Sequence, residues 1–169
     1  NFDELKQQCL ACQRCGLCET RTHVVFGQGV PDAEVLFVGE GPGANEDAQG
    51  LPFVGRSGSC WTITWKRLTL TAAKIFILPI LLSAARQKTA TLPRKNPPPA
   101  PVAAHAVPAA APKIVVCLGR IAAQQMIGKE LFRHADHGKF FDKQGTLFMA
   151  TLHPAALLRN PKSKISAFE

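Results

Sequence analysis

The chain has 169 residues, 46% of them hydrophobic, which suffices for one domain whose apolar core needs no disulfide bonds. No stretch is apolar for the length that a membrane-spanning helix requires, so such a helix is excluded. The net charge of +8 suggests a nucleic-acid partner. However, residues 59–112 hold seven basic residues and no acidic one, and the remainder has 13 basic and 12 acidic residues. The charged start without an apolar signal region leads us to expect a cytoplasmic protein.

The N-terminal region combines a short predicted helix, residues 2–9, with a cysteine cluster. Cys9, Cys12, Cys15 and Cys18 follow one another at intervals of three residues. Disulfide frameworks of secreted proteins spread their cysteines along the chain, whereas CxxC pairs hold thiolates close enough to bind one metal ion or cluster iron. The spacing therefore predicts metal ligation in a reducing compartment, without choosing between zinc and an iron–sulfur cluster. The alternative is a set of inert cysteines or a local zinc site.

A buried strand is predicted at residues 33–38, and it runs into the glycine-rich turn GEGPG. Glycines let such a turn present N–H groups to a ligand, and the carboxylate of Glu40 could orient a water molecule. Further along, Phe53 could offer a flat face to a base. The alternatives are a plain turn, a solvated glutamate and a core phenylalanine, and for Phe53 alone the core role is favoured.

Two more predicted strands, residues 114–118 and 147–152, are each followed by a predicted helix, residues 121–126 and 155–159. Three repeats of strand, turn and helix predict an α/β fold with a parallel sheet. In such sheets ligands bind at the carboxyl ends of the strands. We therefore expect a site where these strands end.

The polar residues at those ends are Glu40, Arg120 and His153. An imidazole at a strand end can donate a hydrogen bond to developing negative charge, although a lone histidine is more often a capping or core residue.

Residues 87–111 differ from their surroundings, because they are rich in alanine and proline without a period, which is typical of a disordered linker.

Together these motifs resemble the iron–sulfur uracil-DNA glycosylases of family 4, with family 5 as a close relative. The similarity covers residues 5–58 and 113–164. It rests on the ordered motifs CxxCxL…RT, VVFGQG, LFVGEGPG, PFVGRSG, PKIVVCLGR and HPAALLRNP. The resemblance implies one domain over residues 1–169, built as a three-layer α/β sandwich with a central parallel sheet.

The resemblance also implies an activity: flipping uracil out of DNA and hydrolysing its N-glycosidic bond, with a 4Fe-4S cluster as cofactor. The departing base carries negative charge that a donor would stabilise, a bound water would attack the sugar, and an aromatic ring would grip the base. Uracil-containing DNA is the expected partner, and the protein is expected to be a monomer. The implied residues are Glu40, Gly41 and His153 for catalysis, Phe53, Gly39 and Pro42 for substrate binding, and Cys12 and Cys15 for the cluster.

Part of the family pattern is missing from the middle of the chain. The family has a segment with a base-reading asparagine and a third cluster cysteine, followed sixteen residues later by a fourth. Here Ile80 occupies the position of the asparagine. Cys60 and Cys117 do not occupy the positions of the third and fourth cluster cysteines. Two of the four expected cluster ligands are therefore absent from the chain as written.

We interpret residues 59–112 as a one-frame-off translation of the family's own gene. When codons are read from the third base of one residue and the first two of the next, residues 78–92 permit ANIAKCRPPKNRDP. The two missing cysteines are then permitted across residues 83/84 and 99/100, sixteen positions apart. Such a frameshift would explain the acid-free charge, the alanine and proline bias and the missing ligands together. A true insertion with its own fold is the alternative.

The literal sequence is therefore expected to hold a cluster poorly, to pack its sheet badly and to show little activity. Other interpretations are a non-catalytic, metal-cluster-containing DNA-binding protein, an inactive pseudogene product, and a superfamily relative with a different base preference. Metal analysis and an excision assay distinguish them.

Overall fold

The computed structural model describes residues 1–14, 16–59, 75–79, 102–128 and 136–160. Within these ranges the strands form a six-stranded sheet in the order β1-β3-β2-β4-β6-β5. The strands are β1 (Gln28–Gly29), β2 (Val35–Gly39), β3 (Ile75–Pro79), β4 (Ile114–Leu118), β5 (Phe140–Lys143) and β6 (Thr146–Thr151). The helices are α1 (Phe2–Leu10), α2 (Ala44–Gln49), α3 (Val102–Ala110), α4 (Arg120–Met126) and α5 (Pro154–Arg159), with a 3-10 turn at Gly16–Glu19.

The centre of the sheet is parallel, as the sequence predicts. Strand β2 pairs in parallel with β3 and β4, and β4 pairs in parallel with β6. The two edge strands, β1 and β5, run antiparallel to their neighbours, which the sequence pattern did not predict. Because β2, β4 and β6 are parallel neighbours, their carboxyl ends meet at one edge of the sheet. The α/β class is confirmed, with a mixed rather than wholly parallel sheet.

The predicted elements at both ends of the chain lie close to the observed ones. Strand β4 has the predicted bounds, and β2 and β6 are shifted by one or two residues. Helix α5 begins at Pro154, whose ring fixes the backbone angle that a first helical position requires. Helix α1 begins after Asn1, whose side chain accepts a hydrogen bond from the backbone N–H of Glu4 at 2.9 Å.

The sheet buries apolar side chains on both faces, which explains why its central strands read as continuous hydrophobic runs. On one face, helices α1, α3 and α4 contribute Cys9, Ala106 and Met126 to a cluster that includes Phe76 and Val115. The opposite face carries a second cluster, which consists of Phe37, Ile75, Ile77, Val116 and Leu118. Phe53 packs against this second cluster from outside the sheet.

The sequence analysis expected residues 87–111 to be a disordered linker and the sheet to be badly packed. Both expectations are wrong for the parts of residues 59–112 that the structure describes. Residues 102–110 are not a disordered linker, because α3 is helical and its Ala106 is fully buried. Alanine has the highest helix propensity, so a run of alanines favours a helix once one side can pack. Strand β3 is also well packed: the ring of Phe76 lies 5.0 Å from that of Phe2 in an edge-to-face arrangement. Residues 87–101 lie outside the described ranges.

Among the described residues, we find no helix with the length and apolarity needed to cross a membrane.

Candidate active site

A cavity of about 270 Å³ lies at the carboxyl ends of the parallel strands. Of the residues predicted from the sequence, it is lined by Gly39, Gly41, Pro42, Phe53 and His153. This volume is slightly below the roughly 300–1,000 Å³ of pockets for drug-sized ligands, so it suits a compact group such as a single ring. The structure thus brings together residues that are 114 positions apart in the chain, from Gly39 to His153.

His153 occupies the last position before helix α5, directly after strand β6. Its Nδ1 accepts a hydrogen bond from the backbone N–H of Ala155 at 3.2 Å. A neutral imidazole that accepts at Nδ1 carries its proton on Nε2, so Nε2 is the donor. Burial lowers the pKa of His153, and the nearby Arg159 lowers it further. The ring is therefore a neutral hydrogen-bond donor at neutral pH, while it also serves as the helix cap that the sequence offered as the alternative.

The position of the His153 ring depends on Gly119 at the end of the neighbouring strand β4. The backbone N–H of Gly119 donates to the carbonyl of Thr151 at 2.8 Å, which ties the two strand ends together. A Cβ atom on Gly119 would lie 2.9 Å from the Cβ of His153, closer than two carbons approach without strain. Gly119 also has φ of +88°, a conformation that glycine adopts readily. Glycine therefore leaves the space that the imidazole occupies.

Glu40 follows strand β2 and is half-buried beside the cavity-lining Gly41. Burial raises the pKa of the Glu40 carboxyl, and the opposing influence is the positive charge of Arg120. Glu40 itself is not among the residues that line the cavity, although its neighbours Gly39 and Gly41 are. Arg120, which the sequence placed at the end of β4, is the first residue of α4, and its positive charge lowers the pKa of Glu40.

Phe53 combines the two roles that the sequence analysis weighed against each other. Its ring lines the cavity and also packs against the second core cluster. Its φ is +56°, which is unusual for a bulky residue and marks a backbone held in place by its surroundings. The ring tip is 3.5 Å from where a Cβ of Gly39 would lie, so the glycine brings the ring close to the strand end. Gly58 packs against the Phe53 carbonyl, where no side chain would fit.

Glu46 and Pro79 are among the other cavity-lining residues to which the sequence assigned no role. Glu46 on α2 accepts backbone hydrogen bonds from Gly43 at 3.1 Å and from Gly55 at 2.8 Å. A glutamate three residues after the N-cap residue, here Gly43, is a known capping signal, so the first of these contacts was foreseeable. Pro79, at the end of β3, also lines the cavity, and it came from a segment treated as aberrant.

The sequence profile of the Uracil DNA glycosylase superfamily matches residues 26–169. The chain belongs to the uracil-DNA glycosylase superfamily. It is 33% identical to a type-4 uracil-DNA glycosylase of Sulfurisphaera tokodaii over 172 residues, covering 95% of this chain and 77% of that protein. It is 29% identical to the type-4 uracil-DNA glycosylase of Archaeoglobus fulgidus, covering 96% of this chain and 85% of the relative. The Thermotoga maritima protein of the same name is 30% identical, with 91% and 81% covered.

In this member of the uracil-DNA glycosylase superfamily the four described cysteines fall into two classes. Burial raises the pKa of Cys9 to about 11 and that of Cys117 to about 12, so both are protonated core thiols. Cys12 and Cys18 are half-buried near the end of α1 and in the 3-10 turn. Cys15 lies outside the described residues. Cys12 and Cys18 are thus the more accessible thiols among the described cysteines.

The described residues do not supply a complete donor set for a cluster. Within the ranges given above, no group of three His, Cys, Asp or Glu side chains is placed to hold a metal ion. Cys12 is the one predicted ligand that the structure describes, and a four-thiolate site needs three partners for it. The described residues alone therefore do not provide the four thiolates of a 4Fe-4S cluster, and no catalytic step proposed for this site depends on one.

Proposed function

We propose that this protein is a DNA repair glycosylase that flips uracil out of DNA and hydrolyses its N-glycosidic bond, leaving an abasic site. The observation that carries the proposal is the cavity in which a neutral imidazole, a glycine-rich turn and an aromatic ring converge. The type-4 uracil-DNA glycosylases to which the chain is similar support uracil as the base. A duplex buries this base, so extrusion into such a cavity has to precede the chemistry.

His153 serves as the donor to the departing base. As the bond between N1 of uracil and C1′ of the sugar breaks, its electron pair leaves with the base and negative charge spreads to the uracil carbonyl oxygens. The Nε2–H of a neutral His153 donates a hydrogen bond to one of these oxygens and stabilises that charge. Burial keeps the imidazole neutral, so no proton has to be removed before substrate binds.

Glu40 and Gly41 hold the attacking water on the sugar side. The sugar becomes cation-like as the base departs, and the oxygen of water forms the new bond to C1′. The water releases one proton and the uracil anion takes one up, so the products are the abasic sugar and neutral uracil. The carboxylate of Glu40, half-buried next to the cavity-lining Gly41, orients that water and stabilises positive charge. The positive charge of Arg120 favours the ionised form of Glu40 against the effect of burial.

Phe53, Gly39 and Pro42 form the substrate-binding side of the cavity. The Phe53 ring stacks on the flipped base, and base–aromatic stacking is worth about 1–3 kcal/mol per base. Gly39 leaves the ring close to the strand end, and Pro42 lines the turn on the other side. Stacking does not by itself distinguish uracil from other pyrimidines. The family's base-reading asparagine corresponds to Ile80, which lies outside the described residues, and the adjacent Pro79 presents no polar side chain.

The cluster and the middle segment are linked in this proposal. Cys12 and Cys15 are the two ligands present for a 4Fe-4S cluster, and the other two are restored if residues 59–112 are read in the second frame. We therefore propose that the intact gene product carries the cluster, acts as a monomer on uracil-containing DNA in the cytoplasm, and forms one domain over residues 1–169. Sequencing codons 55–115 checks this directly: two compensating single-base shifts are expected, and a faithful match contradicts the frame hypothesis.

The function itself is tested by excision from a labelled single-stranded oligonucleotide that contains one uracil, followed by alkaline cleavage of the abasic site. We expect cleavage at the uracil position, and a decrease of roughly 100- to 1,000-fold in His153→Ala, since an oxyanion donor is lost. His105→Ala is the matched control, because His105 is exposed on α3 and does not line the cavity. Binding of the oligonucleotide without any excision would instead favour a non-catalytic DNA-binding protein.

A further inference from the structure

The side chain of Glu46 joins the two loops that form opposite sides of the cavity. Its Oε2 accepts from the backbone N–H of Gly43, in the turn after β2, at 3.1 Å. Its Oε1 accepts from the backbone N–H of Gly55, in the loop that carries Phe53, at 2.8 Å. Both oxygens of a single carboxylate are therefore used, one for each loop. Hydrogen bonds to an ionised acceptor are shorter and stronger than those between neutral groups.

The fit around this carboxylate leaves little freedom on either side. A Cβ on Gly43 would lie 2.6 Å from Oε2, and a Cβ on Gly55 would lie 3.1 Å from Oε1. Side chains at these two positions would therefore displace the Glu46 carboxylate. The two glycines allow the backbone amides to approach it directly, so the spacing of the two loops is set by the width of one carboxylate.

We propose that Glu46 is a positioning residue, which holds the Phe53 loop at a fixed distance from the Gly39–Gly43 turn and so sets the grip of the cavity on the base. Phe53 has φ of +56°, a conformation that persists only when neighbouring contacts hold it. The hydrogen bond at Gly55 is two residues away and holds that loop to α2. This inference rests on the proposed function, because it specifies how that site grips its base.

Asp47, the next residue of α2, provides a matched comparison. Its carboxylate accepts from the backbone N–H of Thr22 at 3.0 and 3.1 Å, which fastens α2 to the N-terminal segment and not to the cavity loops. Glu46→Gln and Asp47→Asn each remove one negative charge from adjacent positions of the same helix, and each preserves the size of the side chain. A general effect on the helix would therefore appear in both variants.

The test combines amide hydrogen exchange with steady-state excision of uracil from the oligonucleotide. A glutamine offers one acceptor oxygen in place of two, so we expect exchange at Gly43 or Gly55 to accelerate roughly tenfold or more in Glu46→Gln. We expect KM to rise by about tenfold with a smaller change in kcat, because the grip on the base acts in the bound and the transition state alike. In Asp47→Asn both amides and both constants should match the parent protein.

Equal exchange rates and equal KM values in the two variants would overturn the positioning role. A rise in KM that Glu46→Gln shares with Asp47→Asn would also overturn it, since it would reflect the helix as a whole. Absence of excision by the parent protein would count against the proposed function instead. In that case the exchange rates of the Gly43 and Gly55 amides decide the role of Glu46 by themselves.

Discussion

Substituting Gly119 by alanine tests whether the position of His153 controls the chemistry. The added Cβ would lie 2.9 Å from the Cβ of His153, and non-bonded carbons prefer about 3.5–4.0 Å. The imidazole therefore has to move by roughly 0.6–1.1 Å if the backbone stays in place. A displacement of about 1 Å in a catalytic group can cost roughly 100-fold in rate, so we expect kcat for uracil excision to fall by about that factor.

The substitution also strains the backbone, and this second effect needs a control. An alanine at φ of +88° and ψ of 173°, a backbone region that essentially only glycine adopts, costs roughly 1–3 kcal/mol of stability whatever its neighbours are. Gly145 has φ of +85°, and a Cβ there would meet nothing within 4 Å. Gly145→Ala should therefore lower the melting temperature through backbone strain alone and leave kcat unchanged.

The assay is single-turnover excision at a temperature where both variants are folded, together with the NMR signals of the His153 ring. We expect Gly119→Ala to show slower excision and shifted ring resonances, and Gly145→Ala to show neither. If Gly119→Ala excises uracil at the rate of Gly145→Ala, the placement of His153 by this glycine is not what sets the rate, and the reasoning fails.

Three further predictions concern charge and packing. Arg120→Gln removes the positive charge that opposes the effect of burial on Glu40, so the pKa of Glu40 should rise further. The acid limb of the pH profile of kcat/KM should therefore move to higher pH. An unchanged acid limb would show that the ionisation of Glu40 does not set that limb. Phe76→Ala should lower the free energy of unfolding by about 3–5 kcal/mol in denaturant titrations, because a buried ring is lost from the edge-to-face cluster. Lys113→Ala, which breaks an exposed ion pair with Glu34 at 2.7 Å, should change it by less than about 1 kcal/mol, and a larger change would show that the pair is not screened by water.

The fold and much of the candidate site followed from local sequence signals. Apolar runs ending in glycine or proline predicted β2, β4 and β6, because parallel strands buried on both faces read as continuous hydrophobic segments. Their parallel arrangement predicted that the residues after each strand would meet at one edge, and Gly39, Gly41 and His153 do line one cavity there. Such signals are available from sequence because they depend on neighbours within a few positions.

Other features depended on contacts between segments that are distant in the chain, and a single sequence does not predict such contacts. Helix α3 has the composition of a linker, and burial of Ala106 against the sheet makes it a helix. Burial and the charge of Arg159 keep His153 neutral, the Ala155 amide sets its tautomer, and Gly119 at the end of another strand leaves the space for its ring. The role of Glu46 required both loops to be in place. Sequence thus determined which residues reach the site, and tertiary packing decided their distances, their protonation and their support, because those depend on atoms far apart in the chain.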